Sequence, residues 1–467
     1  MGEKIPASEL MEKLSFKGTH ASKRMSDDTV AAADEYCIGY MDFLTRVKTE
    51  REAVKYAVER AKENGFTEFV PGRKYMPGDK VYVNNRNKAV ILCVIGTKSL
   101  ADGVRISAAH IDSPRLDLKQ HPLYEKDEAA LLKTHYYGGI RKYQWPTIPL
   151  AIHGVIIKSS GETIDITIGE DDSDPKFVIT DLLPHLAAEQ NKRPLAEGIK
   201  GEELNVLAGS RPYDSSDDTD STVKLNILNI LYEKYGVTED DLMSAELEIV
   251  PAAKPCDIGF DRSMIGAYGH DDRVCAYPSL SAILETTAPE YTCMTVLTDK
   301  EEIGSDGNTG LNSSYMKYFI YDLAESNGLH GHSVLSKSQC LSADVNSAYD
   351  PTFSNAFEKN NSSLINHGVV VTKYTGSRGK SGASDASAEF VAFTRSFLDK
   401  NDVIWQTGEL GKVDAGGGGT VSKYVASLDV DVIDIGVPVL SMHAPFEVVA
   451  KTDVYMTYRA VLEFFRA

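Results

Sequence analysis

Five times along the 467-residue chain, a short apolar run ends on acidic or imidazole side chains. The segments are Ser107 to Pro114 (SAAHIDSP), Tyr268 to Arg273 (YGHDDR), Leu297 to Ser305 (LTDKEEIGS), Cys340 to Asp344 (CLSAD) and Val439 to Pro445 (VLSMHAP). Open α/β sheets build their sites just outside the carboxyl ends of their strands. The recurrence therefore predicts an α/β fold whose chemistry gathers at one end of its sheet.

The flanking patterns agree. Ala89 to Ile95 (AVILCVI) and Arg105 to Ile111 (RISAAHI) are short and apolar enough to be strands covered on both faces by helices. Val47 to Asn64 places Val54, Ala57, Val58 and Ala61 on one helical face, with Gly65 as a C-terminal stop. From Leu116 to Pro251 the texture changes. Val155 to Ser159 and Thr163 to Ile168 read as strands around the turn Ser160-Gly161. After Asp271 the alternation resumes, with helices over Pro278 to Glu285, Ser313 to Ser326 and Ser384 to Leu398. Strands are expected over Thr292 to Leu297 and Gln339 to Ala343. The simplest architecture is an α/β domain, residues 1–115 with 251–467, interrupted by a β-rich insertion over 116–250.

Charge and composition exclude several classes. Lys and Arg number 49 against 68 Asp and Glu, a formal net charge of −19. Phosphate backbones and anionic membrane surfaces need clustered cations, so neither nucleic acid nor membrane is an expected partner. No run of about eighteen apolar residues suggests a spanning helix. The opening MGEKIPASELMEKLSFKG shows neither a secretory signal nor a myristoylation start. Six scattered cysteines with no CxxC pair read as reduced thiols of a cytoplasmic protein. The acidic stretches Glu170 to Asp174 and Asp214 to Asp220 read as solvated loops, since neither keeps a calcium-loop spacing.

The chemistry lies in the five segments. Residues i and i+2 of a strand share a face, so His110 and Asp112 point the same way. The carboxylate can fix one imidazole nitrogen and leave the other for a metal, or the pair can be a buried hydrogen bond. Asp271 and Asp272 precede a helix, as a dication site or as an N-cap with a first-turn acid. Of Glu301 and Glu302, one can bind metal while the other takes a proton from water. Asp344 and His443 each close an apolar run. Two His, two Asp and one Glu together can hold two divalent ions, a set suited to zinc with manganese or cobalt as substitutes.

The order His-x-Asp, Asp-Asp, Glu-Glu, Asp and a late His is that of co-catalytic zinc aminopeptidases. More closely, HIDSPRLDL resembles the HTDSP segment of the aspartyl aminopeptidase family, and YYGGI (Tyr136 to Ile140) resembles its YGGGI. DKEEIGS, LSADV and SMHAPFEV resemble the family's remaining motifs in the same order. The resemblance extends from about residue 86 to the C-terminus. It implies a three-layer α/β/α zinc-aminopeptidase domain with an inserted β-rich dimerisation domain. It also implies hydrolysis of the N-terminal peptide bond of peptides by a water bridging two divalent metals. By position, His110, Asp271, Glu302, Asp344 and His443 would bind the metals, with Asp271 bridging. Asp112 would orient His110, and Glu301 would be the general base.

The match departs in places. The family often reads Leu-Asp-Asn at His270-Asp271-Asp272, so Asp271 is assigned by register, with His270 and Asp272 as neighbouring partners. The family's dimerisation domain lends a histidine to the neighbouring subunit from a Pro-His-Leu-Ala segment. LPHLAAEQ (Leu183 to Gln190) keeps this residue as His185, whereas His153 belongs to an earlier strand. A preference for N-terminal Asp or Glu needs a cation. Lys373, Arg378 and Lys380 either supply it or form a solvated basic loop. The resemblance further implies assembly of dimers into a larger homo-oligomer, commonly a dodecamer.

Two segments look chemical without being so. His330 and His332 are expected in an exposed loop with no further ligand. Gly416 to Thr420 (GGGGT) lacks the Gly-Lys-Ser/Thr ending of a phosphate loop and reads as backbone lining the cleft. Three other functions compete: an aminopeptidase preferring Leu or another neutral residue, a dinuclear zinc deacylase or dipeptidase, and a non-enzymatic scaffold. A free base beside the ligands, Glu301, argues against the last.

Overall fold

Alternation along single strands explains why the apolar runs form the centre of the molecule. Ala89–Val94 is buried throughout. Its Val90, Leu92 and Val94 join one apolar layer and its Ile91 and Cys93 the other. Each such side chain withdrawn from water contributes about 1.5–3 kcal/mol. The computed structural model describes residues 5–15, 18–214 and 220–467. Residues 215–219 of the acidic stretch, and residues 1–4 and 16–17 of the opening segment, lie outside the described residues.

The sheet has nine strands. In order they are Thr67–Glu68, Lys80–Asn85, Ala89–Val94, Thr292–Thr298, Val104–His110, Gln339–Ala343, Asp431–Gly436, Val369–Thr372 and Trp405–Thr407. Four consecutive strands, from Thr292–Thr298 to Asp431–Gly436, run parallel. Their carboxyl ends therefore open on the same side. One face is covered by helices Asp27–Arg46, Glu50–Glu63, His270–Glu285, Ala388–Lys400 and Lys451–Arg466. Tyr315–Glu325, Gly331–Leu335 and Ser422–Ala426 cover the other. This is the three-layer α/β arrangement expected.

A second, antiparallel sheet of seven strands is built entirely from residues 115–251. Its order is Thr163–Ile168, Leu150–Ile157, Ala245–Pro251, Arg115–Lys126, Ala129–Tyr137, Val206–Gly209, Val178–Ile179. It has its own apolar core around Trp145, Leu116 and Ile249. Helix Thr222–Tyr235 packs on it, an element the β-rich reading lacked. Its apolar residues ring the helix, leaving Leu225 and Ile230 exposed, so no single buried stripe marks it in the sequence.

Boundaries shift where capping overrides periodicity. Glu50–Glu63 starts at a capping box in which Thr49 and Glu52 satisfy each other's backbone N–H groups. His270–Glu285 begins before the expected Pro278, which it contains. Among the described residues no helix is long and apolar enough to cross a membrane. All six cysteines are free.

Candidate metal centre

The strand Val104–His110 carries His110 to its carboxyl end, where it is buried. His110 Nδ1 lies 3.0 Å from the Asp112 carbonyl and 3.3 Å from Asp112 Oδ1. That leaves Nε2 facing inward, 3.1 Å from Asp271 Oδ1. Asp112 does more than hold the imidazole. It accepts hydrogen bonds from the backbone N–H groups of Glu301 (3.1 Å) and Glu302 (3.2 Å) and from the Tyr137 hydroxyl (2.8 Å).

Asp271 stands between the two histidines. Its other oxygen, Oδ2, is 3.1 Å from His443 Nε2. Gly269 enters the segment at φ +75°, and Asp271 and Asp272 depart from helical geometry. Asp271 is thereby turned away from the helix. Ser113 Oγ donates to its carbonyl at 2.6 Å, and its N–H donates to Glu447 at 3.1 Å. Asp272 turns elsewhere, accepting from the His110 N–H at 3.3 Å. His270 also points away. Its Nε2 donates to the Ile265 carbonyl and its Nδ1 accepts from the Tyr40 hydroxyl at 2.7 Å.

Glu301 and Glu302 share a single helical turn, Glu301–Ile303, just beyond the strand Thr292–Thr298. Glu302 Oε1 is 3.5 Å from His443 Nε2. Glu301 Oε2 and Asp344 Oδ1 lie 3.9 Å and 3.8 Å from His110 Nε2. Three triads result among the described residues, His110–Asp271–Asp344, His110–Glu301–Glu302 and Asp271–Glu302–His443, each with ligand atoms within 4.8 Å of one another. The first and the third share Asp271.

Their electrostatics fit a cation. Among the described residues, no Lys or Arg forms an ion pair with Asp271, Glu301, Glu302 or Asp344. Burial pushes Glu302 and Asp344 well above the usual carboxylate range, and neighbouring carboxylates add to it. Burial, with Asp112 and Asp271 nearby, pushes Glu301 up to about 7. Burial alone would raise Asp271 and lower His443. Hydrogen bonds with His110 and His443 outweigh it at Asp271 and hold that carboxyl low, and the same Asp271 bond, with Glu302 nearby, lifts His443 to about 10. Glu302 Oε1 is buried with no hydrogen bond. Crowded carboxylates and imidazole nitrogens without a protein cation are what divalent ions such as zinc relieve.

The profile of the aminopeptidase I zinc metalloprotease (M18) family matches residues 43–465. The chain belongs to the M18 family. It is 49% identical over 426 residues to the probable M18 family aminopeptidase 1 of Clostridium acetobutylicum, covering 90% of this chain and 91% of that protein. The crystal structure of an M18 aminopeptidase from Thermotoga maritima superposes with a TM-score of 0.91 at 42% identity, over 97% of this chain and 99% of that one. Aminopeptidase I from C. acetobutylicum also gives 0.91, at 45% identity over 97% and 100%. The protein is accordingly a zinc metallopeptidase of the aminopeptidase class, and the resemblance carried by its motifs holds.

Around the centre of this M18 chain opens a cleft of about 710 Å³. Gly416 to Gly419 and Thr420 line it, as expected for the glycine run. Lys380 and Arg378 line it too, whereas Lys373 faces an adjoining hollow beside Trp405. Lys373 and Lys380 are not free. Both pair with Asp385, Lys380 at 2.8 Å. His185 is exposed on the second sheet's side and does not line the cleft. His153 is buried between Glu52 (2.8 Å) and Glu170 (2.9 Å). His330 and His332 are exposed, with stacked rings, at a one-turn helix rather than in a loop.

Sequence reasoning missed Glu447. Buried in the strand Glu447–Ala450, it accepts the N–H groups of Asp271 (3.1 Å) and His443 (2.7 Å). The signal was available: a lone carboxylate inside the apolar run PFEVVA, four residues after His443.

Proposed function

We propose that this M18 aminopeptidase holds two divalent ions, most readily zinc, in the triads His110–Asp271–Asp344 and Asp271–Glu302–His443. The observation that carries the reading is Asp271, whose two oxygens each lie 3.1 Å from a different histidine. When bound, the ions supply Lewis acidity to the scissile carbonyl and to the attacking water. The residues do the rest. Asp112 fixes the His110 tautomer, and Glu447 ties the backbones of Asp271 and His443 together. Glu301 takes the water's proton on a carboxylate oxygen and returns it to the departing amine.

Glu301→Gln tests this assignment. Zinc should stay bound while turnover falls by about 10²- to 10⁴-fold. Unchanged peptidase activity would remove Glu301 from the role.

The substrates are peptides with acidic N-terminal residues. Arg378, Lys380, Lys412 and Lys423 against Glu409 make the cleft wall cationic beyond the metal centre. The pairing of Lys373 and Lys380 with Asp385 favours a second reading, preference for a neutral residue such as Leu. A panel of Asp-, Glu- and Leu-anilides separates the two. An N-acetyl amino acid in the same panel tests the deacylase alternative.

The confinement of the second sheet and its core to 115–251 supports the division into a catalytic unit and an inserted dimerisation unit. Leu183, Leu186 and Leu195 are exposed on that insertion, which supports self-assembly into dimers and larger homo-oligomers. His185, between two of them, is then available to a neighbouring subunit's cleft. Six free cysteines support a reducing, cytoplasmic setting.

A further inference from the structure

The motif YYGGI helped to place the family, yet nothing in the ligand set uses it. It ends the strand Ala129–Tyr137 of the second sheet and then crosses to the metal centre of the first. Three contacts are made there. The Tyr137 hydroxyl donates to Asp112 Oδ2 at 2.8 Å. The Gly139 carbonyl accepts from His443 Nδ1 at 2.9 Å. The backbone at Gly138 passes so close to Glu302 that an added Cβ would lie 3.3 Å from its Oε2.

Each contact fixes a degree of freedom. Imidazole carries one proton when neutral, so donating Nδ1–H to Gly139 leaves the His443 Nε2 lone pair toward Asp271 and Glu302. Tyr137 occupies one oxygen of Asp112, the carboxylate that also receives the N–H groups of Glu301 and Glu302. Its ring is fixed in turn. Arg115, opposite it on the paired strand, lies 3.9 Å from the ring centroid. Glycine suits 138, where φ is +74°, and at 139 a Cβ would sit 3.2 Å from His443 Nδ1, so that the imidazole would have to give way by a few tenths of an ångström.

We propose that Tyr137 and Gly139 are positioning residues of the metal centre, through which the second sheet sets its metal affinity. The proposal rests on the two-ion reading above. It makes the inserted sheet part of the site's scaffold. Zinc occupancy and the seating of that sheet are then thermodynamically linked, each favouring the other.

Tyr137→Phe in the full-length chain tests it, because the ring and its Arg115 contact remain and only the hydroxyl is lost. Zinc affinity is read by competition with a chromophoric chelator, alongside kcat and KM on an amino-acid anilide. Loss of such an outer partner should weaken zinc binding by about 10- to 100-fold and lower kcat with KM little changed. Gly139→Ala should weaken zinc binding too, by displacing His443. Tyr136→Phe, an exposed neighbour, should match wild type. Wild-type zinc affinity in Tyr137→Phe would overturn the proposal. So would a zinc-free Tyr137→Phe chain that melts well below zinc-free wild type, since the hydroxyl would then serve folding. Failure of the wild type itself to bind zinc would overturn the two-ion reading instead.

Discussion

Among the described residues, two clusters of buried and partly buried carboxylates are solved in opposite ways. At the junction between the sheets, Glu50, Glu52, Glu170 and Glu248 are met by cations of the chain itself. Lys48 reaches Glu170 at 2.7 Å, and Lys88 reaches Glu50 at 3.0 Å. Arg115 lies between Glu50 (3.4 Å) and Glu248 (3.2 Å), and His153 bridges Glu52 and Glu170. At the candidate metal centre, Asp271, Glu301, Glu302 and Asp344 crowd around two imidazoles with no lysine or arginine paired to them among the described residues. What distinguishes the candidate metal centre from the ionic joint is therefore the absence, among the described residues, of a paired lysine or arginine, so that imidazoles alone meet its carboxylates. Acidity and burial are common to both.

The comparison can be broken at either end. Lys48→Met removes a buried cation from the junction and should destabilise the fold by about 3–5 kcal/mol. Zinc bound per folded chain should not change, and urea unfolding with metal analysis checks both. A variant that lost zinc would mean that the two clusters are one. Chelating the metal should act on the other cluster, with a loss of about 2.7 kcal/mol relative to zinc at a hundred times its dissociation constant. The two losses should couple rather than simply add, because Arg115 of the junction also packs on Tyr137, whose hydroxyl donates to Asp112.

The smallest effect is the pH dependence at His153. Burial would lower this imidazole, but Glu170 and Glu52 hold it above its ordinary value of 6.5. A basic group raised on folding gives its stability in full below the unfolded value and loses it as pH climbs through the folded one. The melting advantage of wild type over His153→Gln should therefore be largest at about pH 6 and shrink toward alkaline pH. An advantage that grew with pH would show a neutral histidine at the joint.

The sequence was most readable where function sits on strand ends. His110, Glu301, Glu302 and Asp344 follow three of the four parallel strands, whose pairing brings these ends together. Asp271 instead follows Met264–Ala267 of a separate antiparallel sheet, and His443 follows the short strand Pro438–Val439. Tyr137, Gly139 and Glu447 act by tertiary approach, which local periodicity does not encode. The Asp385 pairing escaped for the same reason: the two lysines were visible as a basic loop, their shared carboxylate was not. Helix Lys451–Arg466 went unread because burial on nearly every side erases the polar face that marks a surface helix.

The central claim is that Asp271 joins two metal sites in one chain, and zinc titration of the purified protein tests it most directly. The account predicts saturation at two ions per chain in the wild type and fewer than two tightly held ions in Asp271→Asn. Saturation of the wild type at a single ion, or two ions retained in the variant, would contradict it.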